Sequence, residues 1–168
     1  MKTELKQEIE TTFGQLYQAI SLFTQNEINL IPFEGSWTAG QVTRHIIKAT
    51  TGFHQICDGN TKKLHAAFDE KVPIIKKIFL DFNSKYNSPE FIYPETKDYD
   101  KTELLSTLQK IENEMLDIAE NYDLTLTCMD FEIPGIGNLT IYELLTFGIS
   151  HSKRHTHQLQ NIYKVINK

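Results

Sequence analysis

The chain has 168 residues, of which 40% are hydrophobic and 23% charged, and its formal net charge is −5. This composition is typical of one globular domain over residues 1–168 and argues against a disordered chain or a membrane protein. Phosphate recognition needs clustered Lys and Arg, which an acidic chain with scattered lysines lacks, so we expect no nucleic-acid partner.

The chain also lacks the apolar run that a membrane span requires, and its N-terminal sequence is too polar for a signal peptide. We therefore expect a cytoplasmic protein that does not bind membranes. Cys57 and Cys128 have no metal-binding spacing and are predicted to be free thiols.

Four segments have apolar residues at alternating steps of three and four, which predicts amphipathic helices packed on one another. They cover residues 3–25, 38–57, 101–121 and the C-terminal segment that follows Thr140. Four such helices predict an all-α fold, a four-helix bundle.

Three of these predicted helices begin with an N-cap residue followed three positions later by Gln or Glu, as in a capping box. These pairs are Thr38 with Gln41, Asp100 with Glu103, and Thr140 with Glu143.

The connection over residues 58–99 is too long for a tight turn and predicts a long crossover. Pro73 precedes the apolar segment 74–82 and predicts a short extra helix there, with Ile75, Phe79 and Phe82 facing inward.

Two other parts of the connections lack a helical pattern. Pro89 and Pro94 predict extended backbone between them. Residues 124–139 break the helical period and contain the turn Pro134-Gly-Ile-Gly137, which predicts an irregular loop before the last helix.

The last predicted helix places two imidazoles and an amide on one face. A four-residue step along a helix returns to within about 40° of its starting direction, so His151 and His155 point the same way, with Gln158 beside them. This face overlaps the apolar stripe of the helix. A buried polar group without a partner costs about 1–3 kcal/mol, and one metal ion would satisfy both imidazoles.

His45 is the best candidate for a third ligand, because it lies on the apolar stripe of the helix predicted at 38–57. By helical phase His54 and His157 point away from the other candidates, and His65 lies in the crossover. Three imidazoles with no fourth protein ligand form an open site, which is typical of catalytic zinc. Nickel, cobalt or copper would also bind such a site, and the alternative is that the histidines only pack in the core.

Gly52 and Gly148 are also predicted near these histidines. Each is about one or two helical turns from a candidate ligand. Because they have no side chain, we expect them to leave room for an ion and a ligand.

Two motifs resemble the DinB-like, or DinB/YfiT, superfamily of metalloenzymes. Trp37-Thr-Ala-Gly-Gln-Val-Thr-Arg-His45 is similar to the family's Trp-Ser/Thr-x-x-Glu-apolar-x-x-His, and Pro134-Gly-Ile-Gly-Asn-Leu-Thr-Ile-Tyr-Glu-Leu-Leu leads into His151-x-x-x-His155-x-x-Gln158. The resemblance implies an up-down-down-up four-helix bundle, often a homodimer. It also implies one divalent ion, zinc or nickel above all, on His45, His151 and His155.

The resemblance further implies a function, since members include S-transferases that use low-molecular-weight thiols such as bacillithiol, and mycothiol-dependent isomerases. An open metal site holds a thiol as thiolate, which can attack an electrophile. We therefore expect a thiol-dependent S-transferase acting on a small-molecule substrate. The alternatives are a metal-dependent hydrolase and a non-catalytic, metal-stabilised dimerisation or ligand-binding module.

Five further side chains are candidates for roles near the site. Gln158 could orient a bound water or a ligand histidine, and Arg154 and Arg44 could either meet an anionic substrate or stay solvated. Gln41 stands where many relatives have Glu, which preserves the helix cap but removes a carboxylate base. Trp37 is expected to be a packing residue rather than a platform for substrate.

Overall fold

The computed structural model describes residues 1–168 and contains six α-helices, two 3₁₀ turns and three short strands. No helix combines the length and the apolar character that crossing a membrane requires. The helices are α1 (Lys2–Ser21), α2 (Ala39–Thr50), α3 (Phe53–Asp58), α4 (Val72–Phe79), α5 (Lys101–Asn121) and α6 (Ile141–Ile166). The strands are β1 (Thr61–Lys62), β2 (Thr127–Ile133) and β3 (Gly137–Thr140).

α1 packs against both α5 and α6. Its direction is opposite to that of α5. Lys6 in the first half of α1 bonds Glu120 at the end of α5, whereas Lys101 at the start of α5 donates to the carbonyl of Phe23, just after α1. α1 and α5 are therefore antiparallel.

α1 and α6 instead run in the same direction. Glu8 in the first half of α1 pairs with Lys153 in α6, and Phe23, just after the end of α1, packs its ring edge to face on Tyr163, later in α6. α2 packs against α5 and α6. A cluster of 32 buried apolar residues fills the space between the helices and continues to Cys128 and Leu139 in the sheet.

The local signals for the helix starts are confirmed at two sites and in part at the third. Thr38 with Gln41 and Thr140 with Glu143 form complete capping boxes, in which each side chain bonds the other residue's backbone N–H. At α5 the Asp100 carboxylate accepts from the N–H of Glu103, without the reciprocal bond. The first helix ends at Ser21 rather than at residue 25.

The prediction of an all-α fold is wrong for residues 124–139, which were expected to form an irregular loop. β2 and β3 form an antiparallel hairpin, and β1 pairs with the other edge of β2 to give the order β1-β2-β3. Within β2 the partly buried Met129, Phe131 and Ile133 alternate with the exposed Asp130 and Glu132, and this period of two is that of a strand. Gly135 and Gly137 have φ of 80° and 85°, and this left-handed backbone makes the tight turn.

The helix predicted over 38–57 is broken in two at Gly52. This residue has φ of 88°, a conformation that glycine adopts without strain, and α3 begins at the next residue. Gly52 therefore serves a change of chain direction.

The crossover contains the predicted short helix, α4, with Pro73 in its first turn. Ile75 is buried and Phe79 is partly buried against the core, but Phe82 lies beyond the end of the helix and is exposed. The inward prediction for Phe82 is therefore wrong. A single 3₁₀ turn, Glu90–Ile92, interrupts the extended backbone predicted between the two prolines and packs against α2.

Candidate metal centre

Three buried imidazoles meet between α2 and α6. His45 is 1% exposed, His151 4% and His155 8%, and one nitrogen from each lies within 4.8 Å of the others. The Nε2 atoms of His45 and His151 are 3.1 Å apart. Two nitrogens bound to one zinc ion at about 2.0–2.1 Å in a tetrahedral arrangement have a similar separation. The group includes no carboxylate and no thiol, so three imidazoles are the ligands that His, Cys, Asp and Glu side chains supply here.

Hydrogen bonds orient two of the three rings. Nδ1 of His45 lies 3.0 Å from the carbonyl oxygen of Ile92, and Nδ1 of His155 lies 2.7 Å from Oε1 of Gln158. Since both partners accept, each Nδ1 carries the proton, and Nε2 keeps its lone pair for the cluster. One of the two roles predicted for Gln158, orienting a candidate ligand histidine, agrees with this contact.

His151 is positioned by packing instead. The ring centroids of Phe147 and Phe79 lie 5.5 Å and 5.9 Å from that of His151. Its Nδ1 is buried without a hydrogen-bond partner, so only Nε2, which faces His45, has a polar neighbour.

Burial keeps these imidazoles neutral. Desolvation holds the pKa of His151 well below its usual value, and the neighbouring histidines lower it further. Desolvation and then the proximity of His45 lower the pKa of His155 to about 3. The pKa of His45 is also lowered by burial, although its bond to Ile92 opposes this shift. Because a histidine must be neutral to bind a metal, the donor set fits a divalent ion.

Two neighbours of the cluster have packing roles. Trp37 is half-buried, and its ring centroid lies 5.1 Å from that of His45. A Cβ on Gly148 would lie 2.9 Å from the Phe53 ring and 3.1 Å from the Met115 side chain. The space at Gly148 is thus used by an aromatic ring, and the expectation that it accommodates an ion is wrong.

Three of the candidate polar residues are engaged elsewhere. Gln41 accepts from the backbone N–H of Thr38 in the helix cap. Arg44 pairs with the Glu95 carboxylate at 3.0 Å. Arg154 donates to two backbone carbonyls of the crossover, those of Asp81 and Ser84. The Arg44 charge is thus paired with a carboxylate, whereas Arg154 has only neutral partners and lines both clefts described below.

The other histidines do not join the cluster. His54 on α3 bonds the Asp117 carboxylate at 2.9 Å. His65 is exposed in the crossover. His157 bonds Asn161 and stacks on the ring of Phe82 at a centroid distance of 4.6 Å.

Two clefts reach the histidines from different sides. The first, here called the apolar cleft, has a volume of about 450 Å³ and contacts all three histidines. The second, the polar cleft, has a volume of about 560 Å³ and contacts His155 and Gln158. Residues 86–88 line both clefts, so the strap that we define as residues 84–88 lies between them. The apolar cleft is lined by five phenylalanines: Phe53, Phe79, Phe91, Phe131 and Phe147.

Sequence reasoning missed two features of this centre. Ile92 orients His45 through its backbone carbonyl, a group that every residue has, from a position 47 residues away. The phenylalanines of the apolar cleft come from α3, α4, β2, α6 and the 3₁₀ turn, so no single segment shows their pattern.

A comparison with known protein families identifies the same family that the two histidine-containing motifs resemble. The sequence model of the DinB superfamily matches residues 8–159, a span that includes His45, His151 and His155. No curated protein and no solved structure is significantly similar to the chain. Since the match covers most of the chain, the protein belongs to the DinB superfamily.

Proposed function

We propose that the protein is a metal-dependent enzyme that joins a low-molecular-weight thiol to a small electrophile. The observation that carries this proposal is the trio of buried, neutral imidazoles at the point where two clefts meet. His45, His151 and His155 would hold the ion, zinc or nickel. When bound in an open site, such an ion supplies Lewis acidity that makes a thiol of pKa about 8.5 available as thiolate at neutral pH.

The reaction balances without an oxidant or a reductant. The thiol sulfur forms a bond to a carbon of the electrophile while the bond between that carbon and its leaving group breaks. The leaving group takes the electron pair, and the thiol proton passes to solvent. Ile92 and Gln158 keep two imidazoles in the metal-binding tautomer, and the phenylalanines exclude water from the electrophile.

A hydrolase that uses water at the same ion is the second candidate. A carboxylate beside the water would assist proton transfer in such an enzyme, and no carboxylate joins the three histidines. Gln41, at the position where many relatives have Glu, is engaged in the helix cap. These two observations favour the transferase. A non-catalytic, metal-stabilised module is disfavoured because no fourth His, Cys, Asp or Glu side chain joins the cluster.

We also propose that α1, α2, α5 and α6 form an up-down-down-up four-helix bundle and that the protein is a homodimer. The antiparallel contacts of α1 with α5 and its parallel contacts with α6 support this order. The dimer follows from the family resemblance, and sedimentation of the purified protein tests it.

Elemental analysis followed by a transfer screen tests the proposed function. We expect about one zinc or nickel ion per chain, and a thioether product when the holoprotein is given an alkyl halide with cysteine, glutathione or bacillithiol. Mass spectrometry of the product is the readout, with the His155→Ala variant as control. Stoichiometric metal with ester hydrolysis and no thioether would favour the hydrolase instead.

A further inference from the structure

We infer that the two clefts divide the substrates between them: the apolar cleft binds a neutral, apolar electrophile, and the polar cleft binds the anionic end of the thiol. This inference rests on the proposed function and adds to it the class of molecule that each cleft accepts.

The geometry provides one meeting point for two ligands. His155 and Arg154 line both clefts, whereas His45 and His151 line only the apolar one. A ligand in either cleft therefore reaches His155 without entering the other. The thiol sulfur would approach the cluster from the polar side and the electrophilic carbon from the apolar side.

Every cation that lines the apolar cleft already has hydrogen-bond partners, and the one cation without a carboxylate partner, Arg154, lines both clefts and does not distinguish them. Besides the histidines, its charged lining residues are Lys48, Glu132 and Arg154. Lys48 already bonds the carbonyl of Tyr93 and the carboxylate of Glu95, and Arg154 bonds two carbonyls of the crossover. The third, Glu132, is itself an anion. An anionic ligand would lose hydration here and meet the Glu132 carboxylate, whereas an apolar ligand gains from contact with the phenylalanine rings.

The polar cleft has a different lining. Lys85 is exposed at its edge and forms no hydrogen bond or ion pair within the protein. Ser36 and Asn161, which line only this cleft, add a hydroxyl and an amide group. A low-molecular-weight thiol carries carboxylate and amide groups that match this combination of a free ammonium and neutral donors.

Arg154 keeps the two clefts separate by holding the strap on α6. It donates to the carbonyl of Asp81 at 2.6 Å and to that of Ser84, and the ring of Tyr86 lies 5.3 Å from its guanidinium carbon. Arg154 is therefore a positioning residue, since its contacts fix the wall between the clefts.

The single tryptophan allows the two clefts to be distinguished experimentally. Trp37 lines the polar cleft and not the apolar one. With zinc-loaded protein, we expect N-acetylcysteine to change the Trp37 fluorescence and benzyl alcohol to leave it unchanged. Benzyl alcohol should instead show nuclear Overhauser effects to phenylalanine ring protons. If N-acetylcysteine left Trp37 unaffected, the assignment of the polar cleft would be wrong.

Variants that change one cleft at a time sharpen the test. Lys85→Glu and Asn161→Phe should each weaken N-acetylcysteine binding about tenfold and leave benzyl alcohol binding within twofold. Ala49→Phe and Phe91→Asp, which alter only the apolar cleft, should do the reverse. Phe91 is 73% exposed, so its replacement does not disturb the core. Lys77→Glu is the matched control, since Lys77 is exposed and lines neither cleft.

The outcomes separate this inference from the proposed function. If one variant weakened both probes equally while thioether formation persisted, the division of the clefts would be overturned and the transferase would stand. If the probes separated as expected but no thiol gave a thioether, the transferase would be overturned and the two binding clefts would stand.

Discussion

The buried histidine cluster and the surface around His54 show how environment determines what an imidazole can do. The Nε2 of His54 lies 2.9 Å from an oxygen of Asp117, its Nδ1 lies 3.8 Å from one of Glu114, and its side chain is 36% exposed. The three residues of the cluster, His45, His151 and His155, have no carboxylate in their donor group and are each 8% exposed or less. Neutral, preoriented rings suit a metal, whereas a wet ring between carboxylates suits surface hydrogen bonds.

Of the changes considered, removing one imidazole from the cluster should have the largest effect, which is on metal binding. His155→Ala should abolish stoichiometric metal binding, because two imidazoles leave the ion without its third protein ligand. Elemental analysis is the measurement, and circular dichroism checks that the helices remain. The matched control is His54→Ala, which should retain about one ion per chain; full metal content in His155→Ala would instead exclude His155 as a ligand.

Removing the orienting amide should have a smaller effect. Gln158→Leu leaves the His155 ring free to turn, and partners of metal-binding histidines contribute about 10- to 100-fold in affinity. Competition with a chelator measures the change. Gln160→Leu, an exposed position on the same helix, should stay within twofold of the unchanged protein. Equal affinities for the two variants would show that Gln158 does not support the site.

Much of this centre could be predicted because the information is local. Helical phase alone places His151, His155 and Gln158 on one face, and the capping residues Thr38 and Thr140 mark the starts of the helices that carry the histidines. The resemblance to the family identifies the same three histidines.

The rest depends on contacts between distant segments. Arg154 looks like a surface residue in the sequence, yet it binds carbonyls about 70 residues away. The break at Gly52 is invisible to apolar periodicity, because the stripe continues through Phe53 and Ile56. The hairpin was missed because its alternation is short and a turn interrupts it.

The stability of the folded protein should depend on both pH and bound metal, because both act on the histidines of the cluster. The pKa of His155 is about 3 in the folded protein and about 6.5 in an unfolded chain, so the unfolded state binds more protons as pH falls. The apo protein should therefore keep the full stability contributed by this residue above about pH 6.5 and lose it progressively on acidification towards pH 3.

Above that pH, metal at about 100 times its Kd should stabilise the protein by about 2.7 kcal/mol, and the difference between holo and apo Tm should narrow on acidification as protons displace the ion. Calorimetry with and without chelator measures both trends. Identical melting of the two forms at neutral pH with metal in excess would mean that the ion does not select the folded state.

Adding a methyl group at Gly148, beside the cluster, should lower the stability of the fold more than it weakens metal binding. A Cβ at Gly148 would lie 2.9 Å from the Phe53 ring, so Gly148→Ala should cost about 1–3 kcal/mol in the free energy of unfolding. Urea denaturation measures it. Gly14→Ala is the matched control, because nothing lies within 4 Å of a Cβ at that helical position. A Gly148→Ala variant as stable as the control would show that α3 and α6 do not pack this closely.

The smallest effect should come from replacing the three histidines outside the cluster together. His54 bonds Asp117 at the surface, His65 is exposed, and His157 bonds Asn161, so none of them points a nitrogen into the cluster. Changing all three to Gln should leave one ion per chain. It should alter the free energy of unfolding by less than about 1 kcal/mol, since exposed pairs contribute little. Loss of the ion would show that a surface imidazole reaches it, and the contrast between buried and exposed histidines would no longer explain the site.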